Sequence, residues 1–253
     1  MRAKCSKIFT ALTAVVLFAG VFAFASEMDS RIESSAQDSY VFKTYLKGDK
    51  IITESKDGVV TLKGTVKEES HKQLAQETVE NLPGVTKVEN QLVYKGKAPA
   101  DKSDGWIAMK VKTALLFHRN VNAFKTNVKV KDGIVTLSGV ASSKANMDLT
   151  GEYAGDVDGV KQVKNNMSIA KKSANAKQTL EEKVDDASIT AQIKMALLTH
   201  RSTSMLKTEV KTINGVVTLG GEAKNEAEKT LVGKIIYDIK GVTSVVNNMT
   251  VAK

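Results

Sequence analysis

Hydrophobic and polar residues alternate through Val128, Val130, Val135 and Leu137, and the alternation is interrupted at one place, Asp132-Gly133. A period of two marks a half-buried strand, and Asp-Gly favours positive φ at both central positions of a tight turn. Residues 132–139 therefore predict the turn and second strand of a β-hairpin. Near copies stand at 57–64 and 214–221, with Val60 and Leu62, and Val217 and Leu219, at the inward positions. Gly84-Val85, Gly159-Val160 and Gly241-Val242 each begin 26 residues after the turn glycines Gly58, Gly133 and Gly215. A constant interval of this kind marks a repeated structural unit.

The repeats span 28–94, 104–170 and 186–253. Ahead of the hairpin, Ile107, Val111, Ala114 and Leu115 lie on one face of a helix, and Ile189, Ile193, Ala196 and Leu197 match them at an offset of 82. Ile32, Ala36, Ser39 and Tyr40 keep the phase in repeat 1 with a weaker stripe, so its first helix is expected to be the least stable. A second helix follows each hairpin, with inward sets Leu74, Thr78, Val79, Leu82; Leu149, Tyr153, Ala154, Val157; and Leu231, Ile235, Ile236, Ile239. Each runs out at a Gly-Val pair, where glycine can take the left-handed conformation that ends a helix.

A third strand then carries Val88, Asn90, Leu92 and Tyr94, with Val163, Asn165, Met167, Ile169 and Val245, Asn247, Met249, Val251 as counterparts. A helical crossover is long enough for parallel pairing. The chain is thus expected to be an α+β tandem repeat of three αββαβ modules. Each would be a small mixed three-stranded sheet with two helices on one face. Thr61, Lys63, Thr136, Ser138, Lys164 and Ser168 suit the other face to water. The glycines that close the second strands, Gly64, Gly139 and Gly221, are expected at a bulge or at a close helix approach. Linkers occupy 95–103 and 171–185, and residues 180–184 are expected to extend the following helix.

Residues 1–25 read as a secretory signal peptide: basic Arg2, Lys4 and Lys7, an apolar run over 8–22, then Ala23-Phe24-Ala25 as the cleavage pattern. That reading makes the mature chain an exported protein. Cys5 is the only cysteine, so the mature chain would have neither disulfide nor thiol chemistry. Modules this small are marginal without such staples, and the repeats are expected to dock on each other. Removing the signal leaves 34 basic and 28 acidic residues. Repeat 1 has 9 basic and 11 acidic residues, whereas repeats 2 and 3 have 9 and 6 each. The lysines are scattered rather than blocked, which argues against nucleic acid as a partner.

No nucleophile elbow, phosphate loop or His-Glu-x-x-His motif occurs, so no enzyme activity, cofactor or metal is expected. His118 and His200 end the first helices of repeats 2 and 3, where the macrodipole favours an imidazolium. A metal pair there would require the two repeats to face each other in one particular way. His71, Asp156 and Asp158 are expected to be solvated. Asn90, Asn165 and Asn247 share a register on the inner side of the third strand and are expected to repeat one side-chain to backbone hydrogen bond.

The order of a helix, an Asp/Asn-Gly-x-Val-Thr-Leu-x-Gly hairpin, and a helix ending in Gly-Val-x-x-Val-x-Asn resembles the BON domain. Three copies behind a signal sequence resemble the exported, osmotically inducible members of that family, which implies a periplasmic location. The resemblance implies a non-enzymatic envelope protein linked to osmotic or other stress and, in several members, attachment to phospholipid. The sole tryptophan, Trp106, lies with Met109, Lys110 and Phe117 along one flank of the first helix of repeat 2, and Lys112 lies further round. An aromatic with lysines at helical spacing suits the surface of an anionic phospholipid membrane. The same flank could instead pack on a neighbouring repeat. The expected function is association with envelope phospholipid, and the alternative is a soluble chaperone-like module that binds other envelope proteins.

Overall fold

The structure is a computed structural model that describes residues 27–170, 183–203 and 208–252. The signal-peptide reading of 1–25 lies outside the described residues, as does most of the second linker.

Repeat 1 contains α1 (27–38), α2 (Tyr40–Thr44), β1 (Lys50–Lys56), β2 (Val59–Val66), α3 (Glu69–Glu80) and β3 (Lys87–Tyr94). Repeat 2 contains α4 (Asp104–Phe117), β4 (Thr126–Lys131), β5 (Ile134–Ala141), α5 (Lys144–Gly155), β6 (Gln162–Asn165) and β7 (Ser168–Ile169). Repeat 3 repeats that order with α6 (Asp186–Thr199), β8 (Thr208–Ile213), β9 (Val216–Ala223), α7 (Glu226–Tyr237), β10 (Ser244–Asn247) and β11 (Thr250–Val251). In every repeat the second strand is central, antiparallel to the first and parallel to the third. Each repeat is therefore an α+β module built on a mixed three-stranded sheet.

The turns carry positive φ at Asp57 and Gly58, Asp132 and Gly133, and Asn214 and Gly215. An aspartate at the start of each first helix grips the turn. Asp104 accepts from the amides of Asp132 (2.8 Å) and Gly133 (2.9 Å), and Asp186 accepts from Asn214 (2.7 Å) and Gly215 (2.8 Å). Asp29 does the same for Asp57 and Gly58, and the Ser55 hydroxyl it also accepts from, with those amides, lowers its carboxyl pKa from the usual value. The asparagines act as expected. Asn165 donates to Met147 O at 2.7 Å and accepts from Met167 N at 3.3 Å, tying the second helix to the third strand, and Asn90 and Asn247 make the same pair of contacts.

Three expectations are corrected. The glycines that close the second strands stay in register with the first strand, Ile51 opposite Gly64, Thr126 opposite Gly139 and Thr208 opposite Gly221, so the hairpins have no bulge there. The close approach comes from the backbone at the start of the first strand: a Cβ at Gly64 would lie 1.9 Å from Lys50 O, and one at Gly139 would lie 2.0 Å from O of Lys125, the residue just before β4. Next, the first helix of repeat 1 breaks at Ser39, whose hydroxyl caps α2 by accepting from Phe42 N. Finally, residues 183–185 are not helical, because Asp185 is the N-cap of α6 and accepts from Ser188 N at 2.8 Å.

Repeats 1 and 3 share one apolar core, whereas repeat 2 has its own around Ile107, Val111, Leu115, Val135 and Leu137. Their common helix is α6, buried on almost every side between α3, α4 and β8. Asp185 also accepts from Tyr40 N at 2.7 Å, and Ser188 Oγ accepts from Val41 N at 3.0 Å, so the N-cap and first turn of α6 cap α2 of another repeat. Removing the turn clamp should show how much each hairpin depends on it. Asp104→Ala and Asp186→Ala each leave two turn amides without a charged acceptor and should cost about 2 kcal/mol in urea denaturation. Unchanged midpoints would rule the clamp out.

Candidate functional site

The candidate lipid flank starts on α4, whose N-cap Ser103 accepts from Trp106 N at 3.2 Å. The indole is half-buried against Gly159, where repeat 2 ends its second helix, and Lys110 Nζ stands 4.0 Å above the ring centroid. Partial burial lowers the Lys110 pKa, opposed by the charges of Asp158 and Asp101. Met109 is half-buried in a groove shared with Gln73, Gln76 and Glu77 of α3. Lys112 is exposed on another side, lining a cavity of about 540 Å³ between repeats 1 and 2. The structure thus brings Trp106 and Lys110 together and disperses the rest.

Phe117 is a correction. It is 0 % exposed, inserts into the core that repeats 1 and 3 share, and meets the Tyr45 ring edge-on at 5.4 Å. The last turn of α4 points into the neighbouring repeats, so Phe117 is a plug and cannot meet a bilayer in this arrangement. His71 is corrected too: its Nδ1 is 2.7 Å from Asp49 Oδ2, and that carboxylate is buried.

Repeats 2 and 3 face each other about an approximate twofold axis, with their backbone and arginine contacts matched at the offset of 82. Arg119 N donates to Asp238 O at 3.0 Å, and Arg201 N donates to Asp156 O at 3.0 Å. The Arg119 guanidinium donates to the carbonyls of Tyr237, Ile239 and Val242, and the Arg201 guanidinium donates to those of Gly155, Val157 and Val160. Each arginine therefore satisfies the bare carbonyl end of the partner repeat's second helix, where the macrodipole also favours a cation. Short antiparallel bridges, His118 with Ile239 and Val157 with His200, complete the exchange. Self-complementary pairing of this kind is what a twofold dimer uses. Repeat 1 has Lys43 and Thr44 at the places of His118 and Arg119, and takes no part.

The axis passes a cavity of about 250 Å³ lined by His118, Tyr153, Asp156, His200, Lys234 and Asp238 among others. His118 stacks flat on Tyr153 at 3.6 Å, and Tyr153 Oη donates to Asp238 Oδ2. Burial lowers the His118 pKa to about 4, outweighing the pull of Asp238, and His200 so close by lowers it further. Burial also lowers the His200 pKa, against the opposite effect of Asp156, whose carboxylate is 3.6 Å from Nε2. Both rings are thus neutral near pH 7, so desolvation has beaten the helix-end effect that favoured an imidazolium. His118 Nδ1 and His200 Nε2 are buried without a hydrogen-bond partner. Among the described residues, no group of three or more His, Cys, Asp or Glu side chains could hold a metal ion.

A family model described as the BON domain matches residues 28–96, 103–171 and 185–253. The chain belongs to the BON-domain family. Osmotically-inducible protein Y of Escherichia coli (strain K12) is 31% identical over 147 residues, covering 58% of this chain and 71% of that protein. An uncharacterized protein in the gshII 5' region of Anaplasma centrale is 29% identical over 144 residues, 57% of this chain and 91% of that one. A solved structure of CdsD, a structural protein of the type III secretion system of Chlamydia trachomatis, aligns with 89% of this BON chain and 92% of its own. Its identity is 16% and its TM-score 0.23, from which nothing about function follows.

The sequence signals for this interface were the matched His118-Arg119 and His200-Arg201 pairs, and a structural reason for the arginines is visible only once the repeats meet. Phe117→Ala should cost about 3–5 kcal/mol, since it empties a fully buried site. Because Phe117 is the plug between two cores, urea unfolding should also separate into two transitions, followed by Trp106 emission and far-UV circular dichroism. A loss below 1 kcal/mol with one coincident transition would contradict the plug.

Proposed function

We propose that this BON-repeat chain is a non-enzymatic exported protein of the osmotic-stress response that attaches to anionic phospholipid through the Trp106 edge of repeat 2. The observation that carries the reading is the sole tryptophan, half exposed, with the Lys110 ammonium over its face. An indole settles at headgroup depth, and a neighbouring ammonium meets lipid phosphate. Repeats 2 and 3 carry the excess of basic residues, so the attraction is aimed at a negative surface. The stress role rests on the similarity to osmotically-inducible protein Y, and export on the signal pattern of residues 1–25. Attachment of this kind would support envelope integrity from one membrane surface.

Vesicles of anionic and of zwitterionic phospholipid, sedimented with the mature chain at low salt, test the attachment. Anionic vesicles should retain the protein and zwitterionic vesicles should not. Trp106→Ala and Lys110→Glu should each lower retention about fivefold or more, by the interfacial and electrostatic contributions they remove. Equal retention by the two vesicle types, or variants that bind like the parent, would end the proposal.

A second reading has one observation of its own. Phe124 is 74 % exposed beside the 540 Å³ cavity, whose walls include Tyr45, Leu74 and Leu116. A pocket of that size with apolar walls accepts the side chains of an unfolded polypeptide, as a chaperone-like module would. Phe124→Ser should then lower suppression of aggregation of a denatured client protein by at least about half, since it removes the most exposed aromatic contact. No suppression by the parent protein would dispose of that reading.

A further inference from the structure

Repeat 2 is joined to the rest of the molecule differently from the way repeats 1 and 3 are joined to each other. The latter share one core, whereas repeat 2 keeps its own and meets repeat 3 through the paired carbonyl contacts and the Phe117 plug. At the centre of that contact lie two imidazoles, His118 and His200, each with a ring nitrogen buried and unpartnered. We propose that these two histidines are an acid latch, and that protonating them separates repeat 2 from repeats 1 and 3 while each core stays folded.

The surroundings offer the charged form of His118 no partner and that of His200 a single carboxylate, Asp156. From α5 and its end come Glu152, Tyr153 and Asp156; from α7 and its end come Lys234 and Asp238; beside the rings stand Arg119 and Arg201. Lys240, further along the same loop, donates its backbone amide to Phe117 O at 3.0 Å and directs its ammonium towards Tyr40. Asp238 already accepts from Tyr153, whereas Asp156, 3.6 Å from His200 Nε2, is within ion-pair distance of that ring alone. Glu152, Asp156 and Asp238 offset Arg119, Arg201 and Lys234, and Asp156 stands within reach of a charged His200. His118 Nδ1 is buried without a partner, and Asp238, the carboxylate whose charge acts on that ring, is already engaged by Tyr153, so a proton on His118 finds no free counter-charge. His118 is stacked on Tyr153 and cannot turn outward without opening the contact.

The sign follows from linkage. A histidine whose pKa is depressed in the closed state takes up its proton more readily once separated. The closed state is therefore fully stable above the ordinary value near 6.5 and loses stability as pH falls towards about 4, the value held by His118 in place. Opening is a population shift driven by the protons that only the separated state accepts readily.

The test measures a distance across the interface in the full chain. Lys129 and Lys211, exposed and equivalent in repeats 2 and 3, are changed to cysteine in a Cys5→Ser background and spin-labelled. At pH 7.5 one narrow distance is expected. At pH 4.5 a longer, broader population should rise at least about tenfold, with circular dichroism unchanged. His118→Gln with His200→Gln should keep the narrow distance at pH 4.5. A narrow distance that persists in the parent, or opening of the double variant at the same pH, overturns the latch. Should the double variant fail to fold at pH 7.5, the parent decides alone by proton NMR of its imidazoles. Both rings must then titrate in the window in which the distance changes, and titration without separation refutes the proposal.

Discussion

Helix α6 is buried on almost every side, with Leu198 its one exposed apolar residue, and the rest of the molecule is arranged around that burial. Eleven of its residues, from Ala187 to Thr199, are enclosed. A helix buried all round must satisfy every polar group it carries. Ser188 bonds Asp185 and receives Val41 N, Thr190 meets Thr212, Gln192 donates to Ser188 O, and Lys194 pairs with Glu77 at 2.8 Å. Three modules, each with too little core to stand firmly alone, thereby become one body.

Small differences between otherwise matching repeats decide which faces dock. Where repeat 3 has Asp185, Ser188 and Gln192, repeat 2 has Ser103, Trp106 and Lys110 at the equivalent places. The first set receives the amides of α2 and the hydroxyl of Tyr45. The second set is too bulky and too charged to accept a helix end in the same way, so it stays at the surface with the lysine over the indole. The proposed membrane edge of repeat 2 is thus the counterpart of a docking face in repeat 3, freed by three side chains. Likewise Lys43 and Thr44 deny repeat 1 the reciprocal contact that the His-Arg pairs make between repeats 2 and 3.

The histidines illustrate how magnitudes choose between two effects at one position. A helix C-terminus favours an imidazolium by up to about 2 kcal/mol in a partly buried setting. Burial at an interface shared with a second imidazole and two arginines opposes it more strongly, and the neutral form is kept. The cations of this contact, Arg119 and Arg201, act instead at the ends of the opposite repeats' second helices, α7 and α5, where each planar guanidinium contacts three carbonyls at once.

Local patterns were readable from the chain because they are set by neighbours in sequence. Turn glycines, the strand alternation, both helix faces and the asparagine bond of the third strand all follow from φ preferences and periodicity within one repeat. The clamp of Asp29, Asp104 and Asp186 was also present in the chain, 28 residues ahead of each turn, but nothing local shows that a carboxylate and a hairpin will meet. Which faces dock belongs to the tertiary structure alone. The α4 stripe reads much like the α6 stripe, yet Phe117 is a plug rather than a lipid contact, and His71 is paired rather than solvated. The physical reason is that burial between repeats depends on the fit of whole surfaces, and a periodic pattern records only that a face is apolar, not what will cover it.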